Sequence, residues 1–153
     1  EAERSIGTMP TDSEIERLYR EVVLEHYREP RHREPLASAD GRGRAVNPTC
    51  GDSVDVEIAL RDGRVGEISV RALGCSIAVA AGSVLAELIR GRDPADAVRL
   101  ATDLAEIVAG RAAPAAADPR LLAFAPLARL PSRQRCALLA WEALAAALAD
   151  VRR

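Results

Sequence analysis

The chain has 153 residues, 48% of them hydrophobic, and a formal net charge of -2, which suits one compact domain whose core folds without disulfide staples. No basic run offers the clustered positive charge that phosphate binding needs, and no apolar stretch approaches the roughly 18 residues of a spanning helix. Nucleic-acid and membrane partners are therefore not expected. The opening "EAERSIGTMP" lacks the apolar segment of a secretion signal, so a cytoplasmic protein is expected. Residues 1–10 read as an N-terminal tail or expression remnant, and residues 11–153 as a single domain. Lysine is absent and arginine is abundant, which reads as codon bias. Three cysteines cannot close into a complete set of disulfides, so metal binding or thiol chemistry enters the reckoning.

The first predicted helix starts near Thr11, where "TDSE" forms a capping box with Glu14. Ile15, Leu18, Tyr19, Val22, Val23 and Tyr27 fall on one predicted inner face, and Pro30 stops the helix. A polar connection comes next. A short strand is expected over Gly43 to Val46, and a longer one from Ser53, with Val54, Val56, Ile58 and Leu60 inward and Ser53, Asp55, Glu57 and Ala59 outward. Asp62-Gly63 is a hairpin turn, and the return strand is expected to run over Val65, Ile68 and Val70 and as far as Leu73. These strands predict a three-stranded antiparallel sheet with one face for helices.

After "LGCS" a helix places Ala78, Ala81, Gly82, Leu85, Leu88 and Ile89 on one stripe and ends at Gly91. The next helix is capped by Asp93, opens on Pro94, turns Val98, Ala101, Leu104, Ala105 and Val108 inward, and closes at Gly110. "RAAPAAADP" reads as a linker, and a short helical piece from Pro119 leads to a last helix opened by Pro131-Ser132. Cys136, Leu139, Ala140, Ala143, Leu144, Ala147, Leu148 and Val151 share its inner face. Strands in a run between helices predict an α+β fold.

Cys50 lies in the turn "NPTCGD", Cys75 where a strand meets a helix, and Cys136 in the first turns of the last helix. Burial alone would explain Cys136, since free cysteine is a small hydrophobe. At Cys75, packing and a helix N-terminus that activates thiols explain the residue equally well. An exposed turn gives Cys50 no packing reason to exist. Asp52 beside Gly51 reads either as a turn residue bonding its own backbone or as a ligand. Together Cys50, Asp52, Cys75 and Cys136 offer three sulfurs and one oxygen, a set that suits tetrahedral zinc. Only Cys50 and Asp52 are close in sequence, so the fold would have to assemble the site.

The segments "LYREVVLEHYREPRHR", "NPTCGD", "ALGCSIAVAAGSVL" and "SRQRCALLAW" resemble, in order and with similar intervals, the SufU-type branch of the IscU/NifU-like iron–sulfur cluster assembly family. The resemblance implies an IscU-like α+β fold: a three-stranded antiparallel sheet with an N-terminal helix and several C-terminal helices packed on it. It also implies that Cys50, Asp52, Cys75 and Cys136 converge on one metal, zinc in the SufU branch, with iron or an iron–sulfur cluster as the alternative. The IscU branch has a histidine before its last cysteine and a Leu-Pro-Pro-Val-Lys stretch. This chain has Arg135 and "LPSRQ" there, and its long interval between Cys75 and Cys136 is similar to the SufU branch.

That branch implies a zinc-dependent sulfurtransferase taking persulfide sulfur from a SufS-type cysteine desulfurase and passing it to downstream iron–sulfur assembly proteins. The other implied activity is a scaffold on which a cluster is built. The resemblance makes Cys50 the sulfur acceptor, freed from zinc by a histidine of the desulfurase. Arg133 matches an arginine of the SufU pattern and is expected to act by its charge or by touching the partner. Arg135 reads equally as a second positive charge or as a solvated helix terminus. His26 is expected to pack or to touch a partner rather than to bind metal, and Tyr19 and Trp141 belong to the core or an interface.

Overall fold

The structure, a computed structural model, describes residues 11–111 and 117–151. The tail over residues 1–10 and most of the linker expected after Arg111 lie outside the described residues. The N-terminal helical segment comprises α1 (Asp12–Leu18), one π-helical turn (Tyr19–Val23) and α2 (Leu24–Arg28). The Thr11–Glu14 capping box forms in both directions, which satisfies two amides that would otherwise lack partners. The π turn inserts extra chain into the helix and rotates α2 relative to α1. Val23 and His26 therefore face the core, His26 at 4% exposure, whereas Tyr27, expected inside, is 47% exposed.

Strands β1 (Gly41–Asn47), β2 (Asp52–Arg61) and β3 (Arg64–Leu73) form an antiparallel sheet in that order. Asp62 and Gly63 both take positive φ, 53° and 76°, as the right-handed twist of a two-residue hairpin demands. One extra residue, Gly66, is inserted where Ala59 pairs with Glu67 and Leu60 with Val65. Beyond that bulge Ile68, Val70 and Ala72 point inward. Leu73, the last residue of the strand as expected, is out of phase with them and is 66% exposed.

The second face of the sheet is not simply solvated. The connection before β1 crosses it: the Val70 amide donates to the His32 carbonyl at 2.8 Å, Ser69 Oγ donates to the Arg33 carbonyl at 3.4 Å, and the Leu36 amide donates to Glu57 Oε1 at 3.0 Å. Glu57, expected outside, and Ser69 are consequently buried, and Ser53, also expected outside, is buried as well. The Leu36 amide and the Arg42 guanidinium, 2.8 Å away, hold the Glu57 carboxyl below its usual range.

Helix α3 (Ser76–Ile89) runs back across the sheet and α4 (Ala95–Val108) comes after it. After α5 (Pro119–Leu122) and a 3₁₀ turn (Ala125–Arg129), α6 (Pro131–Val151) returns beneath β1 and β2. The single stripe expected on α3 is too narrow. Sheet, α2 and α6 all contact this helix, and of its residues only Ser76, Val79 and Glu87 escape full burial. On α4 the buried stripe is Ala97, Leu100, Leu104, Ile107 and Val108. It is rotated from the expected one because Leu100 and Ile107 bury more apolar surface than Val98, which is 70% exposed. The expected Asp93 cap shifts as well: Pro94 occupies the cap position and Asp93 only reaches the Ala95 amide, at 3.4 Å. Among the described residues no helix is long and apolar enough to cross a membrane.

Candidate metal centre

The β1–β2 connection is built by Asn47. Its side-chain Oδ1 accepts the Thr49 amide at 3.2 Å and its carbonyl accepts the Gly51 amide at 2.7 Å. With Gly51 at φ 79°, the chain doubles back so that Asn47 pairs with Asp52 and Cys50 stands exposed at the tip. Asp52, the first residue of β2, is buried. At the end of β3, Gly74 turns the chain with φ 142°, and Cys75 takes the N-cap position of α3 and is half-buried. Cys136, in the second turn of α6, is buried.

Fold topology thus brings distant chain segments to one pocket of about 640 Å³, lined by Asn47, Thr49, Cys50, Asp52, Gly74, Cys75, Ser132, Arg133, Arg135 and Cys136. Ligand atoms of Cys50, Asp52 and Cys136 lie within 4.8 Å of one another. The Cys75 sulfur stands outside that trio, although Cys75 lines the same pocket and its backbone amide donates to Asp52 Oδ1 at 3.2 Å. Arg133 is exposed at the rim, and Arg135 leans toward Glu142, 3.5 Å away. His26 lies outside the lining. It packs against Ser83 of α3 instead, with Nδ1 2.7 Å from Ser83 Oγ.

The donor atoms fit a metal ion. The sulfurs of Cys50 and Cys136 are 4.0 Å apart, too far for a disulfide and close to the about 3.8 Å that two zinc–sulfur bonds at a tetrahedral angle would give. Asp52 Oδ2 is buried and has no hydrogen-bond partner among the described residues. A buried acceptor left unsatisfied is costly, and a cation would satisfy it. Burial works to raise the Asp52 pKa, but the thiols of Cys75, Cys50 and Cys136 together hold it below the usual range. Burial pushes the Cys136 thiol up, and Asp52, Cys75 and Cys50 push it further. An ionised carboxylate beside crowded thiols is an arrangement that positive charge would stabilise.

Sequence reasoning singled out the cysteines and Asp52 but read Asn47 only as a turn former and gave Gly74 no part. Asn47 could have been flagged as an Asx turn from "NPT". Nothing in the sequence shows what lies against Gly74.

Comparison with known proteins sets this pocket in a family. The model of the NifU-like N terminal domain matches residues 18–153. The iron-sulfur cluster assembly scaffold protein IscU of Streptococcus pyogenes serotype M1 is 31% identical over 139 residues, covering 89% of this chain and 86% of that protein. The zinc-dependent sulfurtransferase SufU of Bacillus subtilis (strain 168) is 28% identical over 137 residues, covering 89% of this chain and 92% of its own. The fold matches that of a crystallised nitrogen-fixing NifU-like protein (N-terminal) from Brucella abortus with a TM-score of 0.79, at 21% identity over 90% of this chain and 96% of that one. With a matching family model over most of its length and a relative above 30% identity, the chain belongs to the NifU-like N-terminal domain family, the group that includes IscU and SufU.

Proposed function

We propose that the protein is a zinc-dependent sulfurtransferase that accepts persulfide sulfur from a cysteine desulfurase, of the SufS type, and passes it to iron–sulfur assembly proteins in the cytoplasm. The observation that carries this reading is the contrast within the pocket: Cys50 is exposed at a loop tip, while Cys136 and Asp52 beside it are buried. One thiol can meet another protein, and its neighbours cannot. The SufU relative, zinc-dependent by name, supports the same reading, as do Arg135 ahead of Cys136 and the long interval from Cys75.

Cys50, Asp52, Cys75 and Cys136 would hold the zinc. When bound, zinc supplies the positive charge that keeps the thiols ionised at neutral pH. Sulfur transfer itself is a thiol exchange at Cys50. The Cys50 thiolate attacks the terminal sulfur of the donor persulfide, a new S–S bond forms at Cys50, the donor S–S bond breaks, and the donor cysteine leaves as thiolate. The terminal sulfur keeps its proton, so Cys50 ends as a persulfide and no outside oxidant or reductant is needed. Arg133 at the rim offers a positive charge to the incoming persulfide or to the partner surface. Asn47 holds the loop so that Cys50 stays at its tip.

The test is desulfurase turnover with and without this protein, together with its metal content after purification without added metal. Stimulation by the wild type that Cys50→Ala abolishes, with bound zinc, supports the transferase. Full stimulation by Cys50→Ala would sink it. A second reading, favoured by the IscU relative, is a scaffold that assembles a cluster as cargo on the same residues. Bound iron with visible absorption would select it instead.

A further inference from the structure

We infer that Gly74 is a positioning residue of the metal site, the wall against which the Asp52 carboxylate is set. This inference rests on the proposed metal-binding role of Asp52. A β-carbon at Gly74 would run into Asp52 Oδ1 and Cγ and would stand 2.9 Å from Asp52 Cβ. The carboxylate therefore occupies the space that any other residue at this position would fill. The next residue supplies the grip, because the Cys75 amide donates to Asp52 Oδ1 at 3.2 Å. The missing side chain at position 74 and the amide at position 75 together fix one carboxylate oxygen. The other, Oδ2, is left buried and without a hydrogen-bond partner among the described residues.

Asp52 has little freedom to adjust, since its backbone is pinned in β2 opposite Asn47. A methyl group at position 74 would have to rotate the carboxylate off the Cys75 amide, moving it relative to Cys50 and Cys136. Ligand geometry, not only loop conformation, would then change. The φ of 142° at Gly74 also favours glycine by itself. A role confined to the backbone would make substitution equally costly with or without the carboxylate, and a double-mutant cycle separates the two roles.

The experiment titrates Zn2+ and Co2+ alone into wild type, Gly74→Ala, Asp52→Gly and the double variant, reading affinity by competition and the ligand set by the visible absorption of bound Co2+. Circular dichroism monitors the fold. Gly74→Ala is expected to weaken binding about 10- to 100-fold, as displacing a ligand's support does, and to shift the Co2+ spectrum toward that of Asp52→Gly. Added to Asp52→Gly it should change nothing further. Wild-type affinity and spectrum in Gly74→Ala, or a loss repeated in full on the Asp52→Gly background, overturns the inference while leaving Asp52 as a ligand. Wild-type binding by Asp52→Gly, or no binding by the wild type, overturns the underlying metal reading as well. Should Gly74→Ala fail to fold, the double variant should regain the part of the stability lost to the clash, the backbone strain at position 74 remaining in both; a double variant no more stable than Gly74→Ala also overturns the inference.

Discussion

His26 is an almost fully buried imidazole. Glu87 lies 3.6 Å from its Nε2 and Arg31 and Arg120 both lean on Glu87. Ser83 Oγ already accepts the Arg31 amide at 2.9 Å, so its proton is free to go to His26 Nδ1, and the neutral ring with hydrogen on Nε2 faces the Glu87 carboxylate. Burial first, then the Arg31 charge, pull the His26 pKa below its ordinary value, against the opposing pull of Glu87 and Glu25. The folded state therefore binds this proton less readily than the unfolded one. Stability is full above the unfolded value of about 6.5 and falls as pH drops below it. Denaturant midpoints measured between about pH 7.5 and 5.5 should decline, and His26→Gln, which keeps an acceptor without a titrating group, should flatten that decline. A second residue-scale expectation concerns Asp52. Asp52→Ala removes a carboxylate whose burial opposes its charge, so the metal-free fold should change by no more than about 1 kcal/mol. Zinc retention and desulfurase stimulation should both drop. Intact transfer with full zinc retention would reject Asp52 as a ligand.

Two glycines of β1 let a strand lie directly on a helix backbone. A β-carbon at Gly43 would meet the Ala143 carbonyl and the Ala147 amide, and one at Gly41 would meet the Ala147 carbonyl and stand 2.6 Å from Val151 Cγ2. At Gly43 no flexible side chain is there to give way. Gly43→Ala should lower unfolding free energy by about 1–3 kcal/mol, the range for overpacking, whereas Gly63→Ala meets nothing within 4 Å and costs only the strain of its positive φ. Denaturant titration of both variants checks the contrast. Thr11→Ala, which removes the N-cap of α1, should cost about 1 kcal/mol. Elements with local causes could be read from the chain: the Thr11–Glu14 box, the period of β2, the Asp62-Gly63 turn and the Pro131 start of α6. Faces decided by other elements could not. Tyr27 depended on a π turn and Glu57 on a connection that folds back over the sheet, and neither has a periodic signature.

At the scale of the molecule, the pocket draws on the sheet, the start of α3 and the last helix, so an ion bound there would bridge elements far apart in sequence. Zinc at about a hundred times its dissociation constant should then raise unfolding free energy by about 2.7 kcal/mol, and a chelator should return the melting temperature to that of the metal-free protein. A melting temperature indifferent to both would argue against an ion at this site. The cysteines and Asp52 could be picked out by chemistry and family pattern, but which of their ligand atoms fall within 4.8 Å of one another, with the Cys75 sulfur outside that set, depends on how β3 hands over to α3. The loop that carries Cys50 sets a further constraint. It is moored at the paired residues Asn47 and Asp52, and Cys50 is two positions from the nearer mooring, about 7 Å of fully extended chain. A thiol on so short a leash cannot swing out to fetch cargo. On the proposed transferase reading, a donor must therefore bring its sulfur to the loop tip, and a donor whose sulfur is too recessed to reach that tip would be turned away by shape before chemistry began.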